Sequence, residues 1–480
     1  MADPQGFMKI KRQPPILRPI CERLKDFKDV NKSRSAAMSK EQASRCMDCG
    51  IPFCHWACPV GNYIPEWNDL IFQRQWERAF ELLDATNNLP EITGRVCPAP
   101  CEYSCVLGIN DDPVTIKENE KEIIEYAFKH KYIKPRPPAK RTGKRVAVIG
   151  SGPAGLSCAQ QLNRAGHQVV VFEKDDQIGG ILWYGIPNFK LEKWIVDRRV
   201  KLLRDEGIEF RASKVVGKDF PVSQLVHEFN AVCLTIGSRV PRDLPIEGRK
   251  LGGIHFAMDY LTQVTRKHHG APIAEDELIN AKGKNMVIIG GGDTGADCVG
   301  TANRQNAACV VQIELLERPA ACRTDAYPWP LYPLLLKTST SHEEGADRQW
   351  SVMTKRFVGE KGQVKKLECI RVEFKKTSAQ TCPQMQEIPG SEFEIPADLV
   401  ILAIGFTGPE PEIIAELNLE KDNRGNIKTG PDYMTSRKPI FAAGDARRGQ
   451  SLIVWAISEG RKAACSIDRY LMGSSNLPNF

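Results

Sequence analysis

The sequence predicts an α/β chain in which two parallel-sheet domains of the β-α-β kind, one nested in the other, follow an α-helical, cysteine-rich domain. Three observations carry that expectation. A β-branched run, a Gly-x-Gly-x-x-Gly turn, a helical pattern and a second apolar run occur in order twice, beginning at KRVAVIGSGPAG (144–155) and KNMVIIGGGDTG (284–295). Repetition of this unit means two dinucleotide-binding, Rossmann-like domains in series. Seven of the 16 cysteines crowd between residues 46 and 105. Between those cysteines and the first glycine turn lies KHKYIKPRPPAKRTGKR (129–145), Pro-rich and almost wholly basic, which reads as an extended, solvated linker.

At 480 residues the chain exceeds what one core can hold, so two to four domains are expected. Apolar (42%) and charged (26%) residues stand at ordinary globular levels, which excludes a disordered chain. No run approaches the roughly 18 apolar residues of a membrane span, and MADPQGFMKIKRQPP lacks the apolar core of a secretory signal. A cytoplasmic protein without membrane attachment is expected. The net charge of +7 is modest for this length and sits largely in the linker, so no nucleic-acid partner is expected. In a reducing compartment the cysteines do not form a disulfide framework. The nine outside the cluster, among them Cys158, Cys233 and Cys298, are expected to be small buried hydrophobes.

In the N-terminal region helical patterns alternate with Cys/Pro loops, and IPEWNDLIFQRQWERAFELLDAT (64–86) carries apolar residues at helical spacing. The loops hold Cys46-x2-Cys49-x4-Cys54-x3-Cys58-Pro59 and Cys97-x3-Cys101-x3-Cys105. Zinc sites usually pair Cys-x2-Cys units a dozen residues or more apart, so a structural zinc module is the weaker alternative. Thiols this dense suit iron–sulfur cubanes: in ferredoxin-like runs three cysteines hold one cluster and a fourth, before proline, reaches the next. On that logic Cys46, Cys49 and Cys54 share a cluster with Cys105, and Cys58 joins Cys97 and Cys101 at a second. Two cubanes need one ligand more than these seven thiols, and Cys21, distant in a basic segment, is a poor choice. In TIKENEKEIIEYAFKHK (115–131) Ile116, Ile123, Ile124 and Ala127 mark a buried stripe, and Glu120 lies on it. A carboxylate on an apolar face is costly unless paired or metal-bound, which makes Glu120 the candidate eighth ligand, with a salt-bridged glutamate as the alternative. Glu118, Glu122 and Glu125 fall off the stripe and are expected in solvent. His55 is expected beside the cluster, not on it.

In the first β-α-β unit the helix pattern AGLSCAQQLNRAG (154–166) leads to the strand HQVVVFEK (167–174). Gly150 permits the tight turn, Gly152 lets backbone approach a pyrophosphate, and Gly155 lets the helix pack on the strand. The helix N-terminus offers N–H dipoles to the phosphates. Glu173 stands where a carboxylate binds the ribose hydroxyls of an adenosine. In the second unit Gly290, Gly292 and Gly295 take the same places, and ACVVQIELLE (308–317) is a strand expected to end at Glu317 and Arg318. Glu317 favours the free 2′-hydroxyl of NADH, whereas Arg318 or Arg323 would pair with the 2′-phosphate of NADPH, so the nucleotide stays open. The aromatic, Pro-rich stretch 318–350 is expected to be a loop over a binding face. The flavin is assigned to the first unit. IGGILWYGIP (178–187) brings Gly179 and Gly180 close to a ring, and in IFAAGDARRG the turn Gly444–Asp445 can bond a ribityl chain ahead of a helix N-terminus. VCLTIGS (232–238) and LVILAIGF (399–406), apolar strands ending in glycine, mark crossings between nested domains.

From 144 to 480 these features resemble the flavoprotein disulfide reductase superfamily, which implies FAD in the first fold and NAD(P)H in an inserted second one. No Cys-x-x-Cys accompanies the flavin motifs, since Cys158 and Cys298 stand alone, so electrons are expected to leave by another route than a redox disulfide. Together with CMDCGIPFCHWACPVGN, RVCPAPCEYSC, GGILWYGIPNFKL, GGGDTGADC, AIGFTGPE and AAGD, nearly the whole chain closely resembles the small (beta) subunit of glutamate synthase. The same module is similar to the N-terminal part of dihydropyrimidine dehydrogenase, where a ligand other than cysteine completes one cluster. DAYPWPLYPLLLKTSTSHEEG looks like the corresponding loop of fused glutamate synthases that use NADH. The basic pair frequent in the family after the second nucleotide strand is missing, with Glu317 in its first position.

The resemblance implies an electron-input subunit. NAD(P)H gives a hydride to FAD, and single electrons pass through two 4Fe-4S clusters to a large (alpha) subunit carrying FMN and an iron–sulfur cluster. There 2-iminoglutarate, made from 2-oxoglutarate and glutamine-derived ammonia, becomes glutamate. The alternative is a related NAD(P)H:acceptor oxidoreductase feeding ferredoxin, sulfur or a pyrimidine-reducing partner. No side chain is named as catalytic, because the hydride passes between bound cofactors. Met1-Ala2 offers no N-terminal thiol, which assigns glutamine hydrolysis to another polypeptide. The expected division is a helical iron–sulfur domain (1–128), a linker (129–143), the first part of the FAD domain (144–243), an inserted NAD(P)H domain (244–406) and the second part of the FAD domain (407–480). Expected FAD contacts are Gly150, Gly152, Gly155, Glu173, Lys174, Gly180, Gly444 and Asp445. Those for NAD(P)H are Gly290, Gly292, Asp293, Thr294, Gly295 and Arg318.

Overall fold

The β-branched run Arg145–Ile149 is buried on both faces, as the central strand of a parallel sheet must be. The computed structural model, which describes residues 3–375 and 383–479, orders that sheet as Ile440–Ala442, Ala231–Leu234, Arg145–Ile149, Gln168–Phe172 and Glu209–Arg211, all parallel. A second parallel sheet has the order Asp347–Gln349, Cys309–Ile313, Asn285–Ile289, Leu399–Leu402 and Ile254–Phe256. In chain order every strand of the second sheet falls between Ala231–Leu234 and Ile440–Ala442 of the first. The chain crosses between them at Val240–Pro241 and Phe406–Gly408, and these two crossings pair with each other antiparallel. An antiparallel meander (Val352–Glu360, Gln363–Lys375, Phe393–Pro396) covers the second sheet, with Phe357, Leu367 and Ile395 packed on Val287 and Val400. The C-terminal helix Ile453–Met472 lies against Pro153–Arg164 so closely that a Cβ at Gly460 would sit 2.2 Å from the Ala154 carbonyl oxygen.

The N-terminal domain is helical around Ile64, Trp67, Ile71, Leu83, Ile123 and Ile124. The single periodic stretch 64–86 becomes two helices, Ile64–Phe72 and Trp76–Thr86, because the polar triplet between them turns at left-handed Arg74 (φ 62°). The helix Ile116–Lys129 corrects the expectation of solvated glutamates. Glu118 and Glu122 are buried and Glu125 largely so. The N-terminal arm crosses the polar side of this helix, where Arg34 N donates to Glu122 (3.1 Å) and Lys121 pairs with Glu118 (3.2 Å). Arg198 of the flavin domain holds Glu125 at 2.8 Å.

Between Lys129, which closes a helix, and Arg145, which opens a strand, the basic linker has no regular structure and is tied down by Arg136 to Asp84 and by Arg141 to Asn163. The stretch 318–350 contains only the short helix Thr340–Glu343 and the three-residue strand Asp347–Gln349. It lies on the cysteine-rich domain: the rings of Trp329 and Phe53 are 4.6 Å apart, those of Tyr332 and Tyr103 5.2 Å, and Ser104 Oγ donates to Pro330 O (2.6 Å). Of the scattered cysteines, Cys158, Cys233, Cys298, Cys369 and Cys465 are buried. Cys21, Cys309 and Cys322 are exposed, which corrects the expectation for them: the first two sit at the margins of short elements and the third in the long loop. Cys382 lies outside the described residues. Among the described residues no helix is long and apolar enough to cross a membrane.

Candidate functional site

The two cysteine loops fold against each other so that their thiols ring two cavities. Cys46, Cys49, Cys54 and Cys105 line one, with Phe53 and Leu107. Cys58, Cys97, Cys101 and Glu120 line the other, with Asn62, Thr93 and Val454. Ile116 lines both and so stands between them. Each loop turns through a left-handed non-glycine residue between two of its thiols, Asp48 (φ 52°) and Ala99 (φ 56°), strain of the kind that clusters at functional sites. Among the described residues no three His, Cys, Asp or Glu side chains close up as a single ion would require. Thiols spread around a cavity suit a larger, multi-iron group.

Burial pushes the thiols up, Cys58 to about 11 and Cys46 and Cys97 to about 12, and raises Cys54 and Cys101 as well. Neighbouring thiols add to this, Cys105 beside Cys54 and Cys58 beside Cys101. Ligation needs thiolates, and a cationic metal centre supplies the charge that strips such protons. Backbone N–H groups of Asp48, His55 and Ala99 already bond the sulfurs of Cys46, Cys54 and Cys97, the last at 3.4 Å. Glu120 is 6% exposed, and its Oε1 accepts from Asn87 Nδ2 (2.8 Å) and Thr93 Oγ1 (2.7 Å). Among the described residues no salt bridge to it is formed, and Lys117, which lines the same cavity, is the cation that acts on it. Burial pushes its carboxyl up to about 7 against these neutral donors. Oriented by neutral donors, with the Lys117 ammonium lining the same cavity and offsetting part of the burial, it fits the donor set of a metal cluster. His55 is turned elsewhere: its Nε2 accepts from Ile64 N (2.8 Å) and lies 3.3 Å from Glu66.

At the carboxyl end of the first sheet's central strand a Cβ at Gly155 would lie 2.0 Å from Gly150 O, so only glycine lets the helix Pro153–Arg164 meet the strand. Gly180 and Gly444 close on the same helix start. A Cβ there would approach Gly152 Cα to 3.1 Å and Ala154 Cβ to 2.8 Å respectively. Segments 150–155, 178–180 and 444–445 therefore converge on one helix N-terminus, a ready phosphate site. Glu173, buried opposite Gly150, accepts from Ser151 N (3.0 Å). Asp445 accepts from Ser451 Oγ (3.0 Å), yet burial pushes it up to about 6. Lys174 turns away from the turn and pairs with Glu410 (2.5 Å).

The second glycine turn repeats this packing, with a Cβ at Gly295 falling 2.3 Å from Gly290 O and Asp293 and Thr294 in the first turn of the helix Asp293–Arg304. The second strand ends at Ile313, not at Glu317. Its parallel partner Asp347–Gln349 ends there too, and the chain then peels off to meet Val352. The residue opposite Gly290 is thus Glu314, while Glu317 and Arg318 are exposed beyond it. Arg318 lies over Trp350, 5.2 Å from the ring centroid. Arg323 is not available to a phosphate: its guanidinium donates to the carbonyls of Tyr327, Leu331 and Tyr103.

Two lysines escaped the sequence reading. Lys190 pairs with Asp297 and so joins the flavin-domain loop to the second nucleotide helix. Lys193 Nζ, buried enough to bring its pKa down to about 7, donates to the carbonyls of Leu182, Ile186 and Leu191 (3.1, 2.5 and 3.1 Å). Two lysines within the apolar GIPNFKLEKWIV were the available signal.

A family model described as dihydropyrimidine dehydrogenase domain II, 4Fe-4S cluster, matches residues 23–132, and one for pyridine nucleotide-disulphide oxidoreductases matches 144–460. The glutamate synthase [NADPH] small chain of Mycobacterium tuberculosis is 52% identical across 100% of this chain and 98% of its own length. That of Bacillus subtilis is 48% identical across 100% of both. Glutamate synthase [NADH] of Schizosaccharomyces pombe is 48% identical over 99% of this chain, which spans 23% of that longer protein. Among solved structures, FprA from Mycobacterium tuberculosis in complex with NADPH is similar over 70% of this chain and 85% of its own, with a TM-score of 0.55 and 17% identity, a likeness of fold. A cysteine-rich cluster domain, two nested nucleotide folds and close to half of all residues shared end to end leave one conclusion: the chain belongs to the glutamate synthase small-chain family.

Proposed function

We propose that the chain oxidises NAD(P)H and delivers the electrons one at a time to a large subunit, which carries FMN and its own iron–sulfur cluster and makes glutamate from 2-oxoglutarate and glutamine. Family membership gives the chain FAD, NAD(P)H and 4Fe-4S binding and a large-subunit partner. One observation carries the direction of flow. The cavity of Cys58, Cys97, Cys101 and Glu120 is also lined by Val454, in the first turn of the C-terminal helix Ile453–Met472, and Cys97 belongs to the core of the flavin domain. That cavity is the inner one. The cavity of Cys46, Cys49, Cys54 and Cys105 lies farther out, where Cys49 is partly exposed and Ile51 and Trp56 reach solvent. The partner's electron acceptor belongs on that side.

Bound here, FAD supplies the conversion of a hydride pair into single electrons, and the clusters supply one-electron carriers. The chain's own residues do the holding. Gly150, Gly152, Gly155, Glu173, Gly180, Gly444 and Asp445 seat FAD, and Gly290, Gly292, Asp293, Thr294 and Gly295 seat the nicotinamide nucleotide. The two sets of four around the cavities are the cluster ligands. We assign the protein to the cytoplasm, a reducing compartment in which the seven clustered thiols stay available to hold iron.

Purified holoprotein is expected to show flavin and broad iron–sulfur absorption with about eight irons per chain. It should reduce a dye acceptor with NAD(P)H alone and support glutamate formation once the large subunit is added. A large subunit that never engages would remove the assignment. Glu120→Ala is expected to lose about half the iron with all seven thiols present. Full retention of iron and of both cluster signals would take Glu120 out of the ligand set.

A further inference from the structure

Both nucleotide folds hold a carboxylate in the same clamp. In the first, Gly150 N donates to Phe172 O (2.8 Å), and the next residue, Glu173, accepts from Ser151 N at Oε2 and from Asp175 N at Oε1, both at 3.0 Å. In the second, Gly290 N donates to Ile313 O (2.8 Å), and the next residue, Glu314, accepts from Gly291 N at Oε2 (2.5 Å) and from Leu316 N at Oε1 (3.1 Å). Each clamp uses one N–H of the glycine turn and one N–H two residues past the glutamate. Glycine at 291 admits the carboxylate, because a Cβ there would lie 2.7 Å from Glu314 Oε2. Glu173 Oε2 also accepts from Ser151 Oγ (2.5 Å), so acceptor capacity remains at Glu173 Oε1 and at both oxygens of Glu314. In the first fold the adenosine is that of FAD, whose 2′- and 3′-hydroxyls are free, and a carboxylate at this point is the group that binds such a diol.

We infer that Glu314 reads the 2′-hydroxyl of the nucleotide in the second fold, so that this chain takes NADH and rejects NADPH. The inference rests on the electron-input reading and adds the identity of the hydride donor. The two residues after Glu314, Leu315 (40% exposed) and Leu316 (56%), are apolar and offer nothing to a 2′-phosphate. Arg318 and Arg348 lie over the ring of Trp350, 5.2 and 4.9 Å from its centroid, and supply the competing arrangement, a phosphate held between guanidiniums. A 2′-phosphate on a ribose that Glu314 engages would meet a carboxylate that two backbone N–H groups hold fixed, and the like charges repel.

Calorimetric titration of the holoprotein with ADP-ribose and with its 2′-phosphate reads this subsite without turnover. ADP-ribose is expected to bind about 100-fold more tightly, with NADH favoured over NADPH by a similar factor in kcat/KM, carried by KM. Glu314→Gln keeps the shape and removes the charge; it should shrink both ratios at least about tenfold, with flavin content as in the unaltered protein. Glu314→Ala serves the same purpose if the amide variant fails to fold, and the unaltered protein's ratio is decisive without either. Equal or tighter binding of the phosphorylated probe overturns the inference, as does a ratio that the substitution leaves unchanged. Oxidation of NADPH in preference to NADH removes this inference and leaves the electron-input reading standing. Oxidation of neither nucleotide removes both.

Discussion

Asp445 shows what burial does to a single side chain in this protein. Its carboxyl is pushed up to about 6 by burial, against an ordinary value of 3.8 and despite the Ser451 hydrogen bond. The folded form therefore keeps a proton that the unfolded chain releases, and folding takes up a proton between pH 3.8 and 6. Stability falls as pH rises through that window and stays lower above it, by at most about 3 kcal/mol. In flavin-depleted protein Asp445→Asn is expected to be more stable than the unaltered chain at pH 7, with the gap closing near pH 4; urea midpoints at the two pH values measure it. A gap independent of pH would mean that the Asp445 carboxyl titrates alike in the folded and the unfolded apoprotein. Glu120 illustrates how far such residues are legible beforehand. Its burial follows from the 3.6-residue stripe it shares with Ile116, Ile123 and Ile124, whereas the burial of Glu118 and Glu122 does not, because their cover comes from Arg34 and its neighbours far away in the chain. Glu314 was passed over for Glu317 because ACVVQIELLE stays apolar beyond the point where pairing stops.

At the scale of elements, the helix Pro90–Val96 delivers Cys97 and the helix Ile116–Lys129 delivers Glu120 to the same cavity. Their separation is set by Gly94, where a Cβ would lie 2.8 Å from Lys121 Cα and 2.9 Å from Lys121 N. Backbone cannot yield as a flexible side chain does. Gly94→Ala is expected to push the helices apart, cost about 1–3 kcal/mol in denaturant unfolding, and lower the iron bound at the inner cavity. Unchanged stability and iron content would show that the crossing relaxes freely. The two β-α-β units were legible as elements because strand, glycine turn and helix are contiguous, each with its own period. The break at Arg74 was not, since the apolar residues on either side continue one helical pattern across it.

Across the whole molecule, the second nucleotide domain is inserted in the flavin domain and also reaches the cluster domain through residues 323–332. Trp329 on Phe53 and Tyr332 on Tyr103 are the aromatic contacts of that junction, with Arg323 donating to Tyr103 O (2.9 Å). Two aromatic contacts contribute about 0.5–1.5 kcal/mol each beyond their buried area. The double variant Trp329→Ala/Tyr332→Ala should therefore let amides of residues 100–105 exchange at least about tenfold faster, while flavin content stays constant. Exchange at the original rate would mean that the loop rests on the cluster domain without holding it. By itself the sequence determined what depends on near neighbours: the two glycine turns with their flanking strands and helices, the thiol runs, and one buried stripe bearing a carboxylate. Only the tertiary structure decided which side chains share a cavity with Val454, where the second nucleotide strand stops, and what covers the polar side of the helix Ile116–Lys129. Those are contacts between residues tens to hundreds of positions apart, and no local period records them.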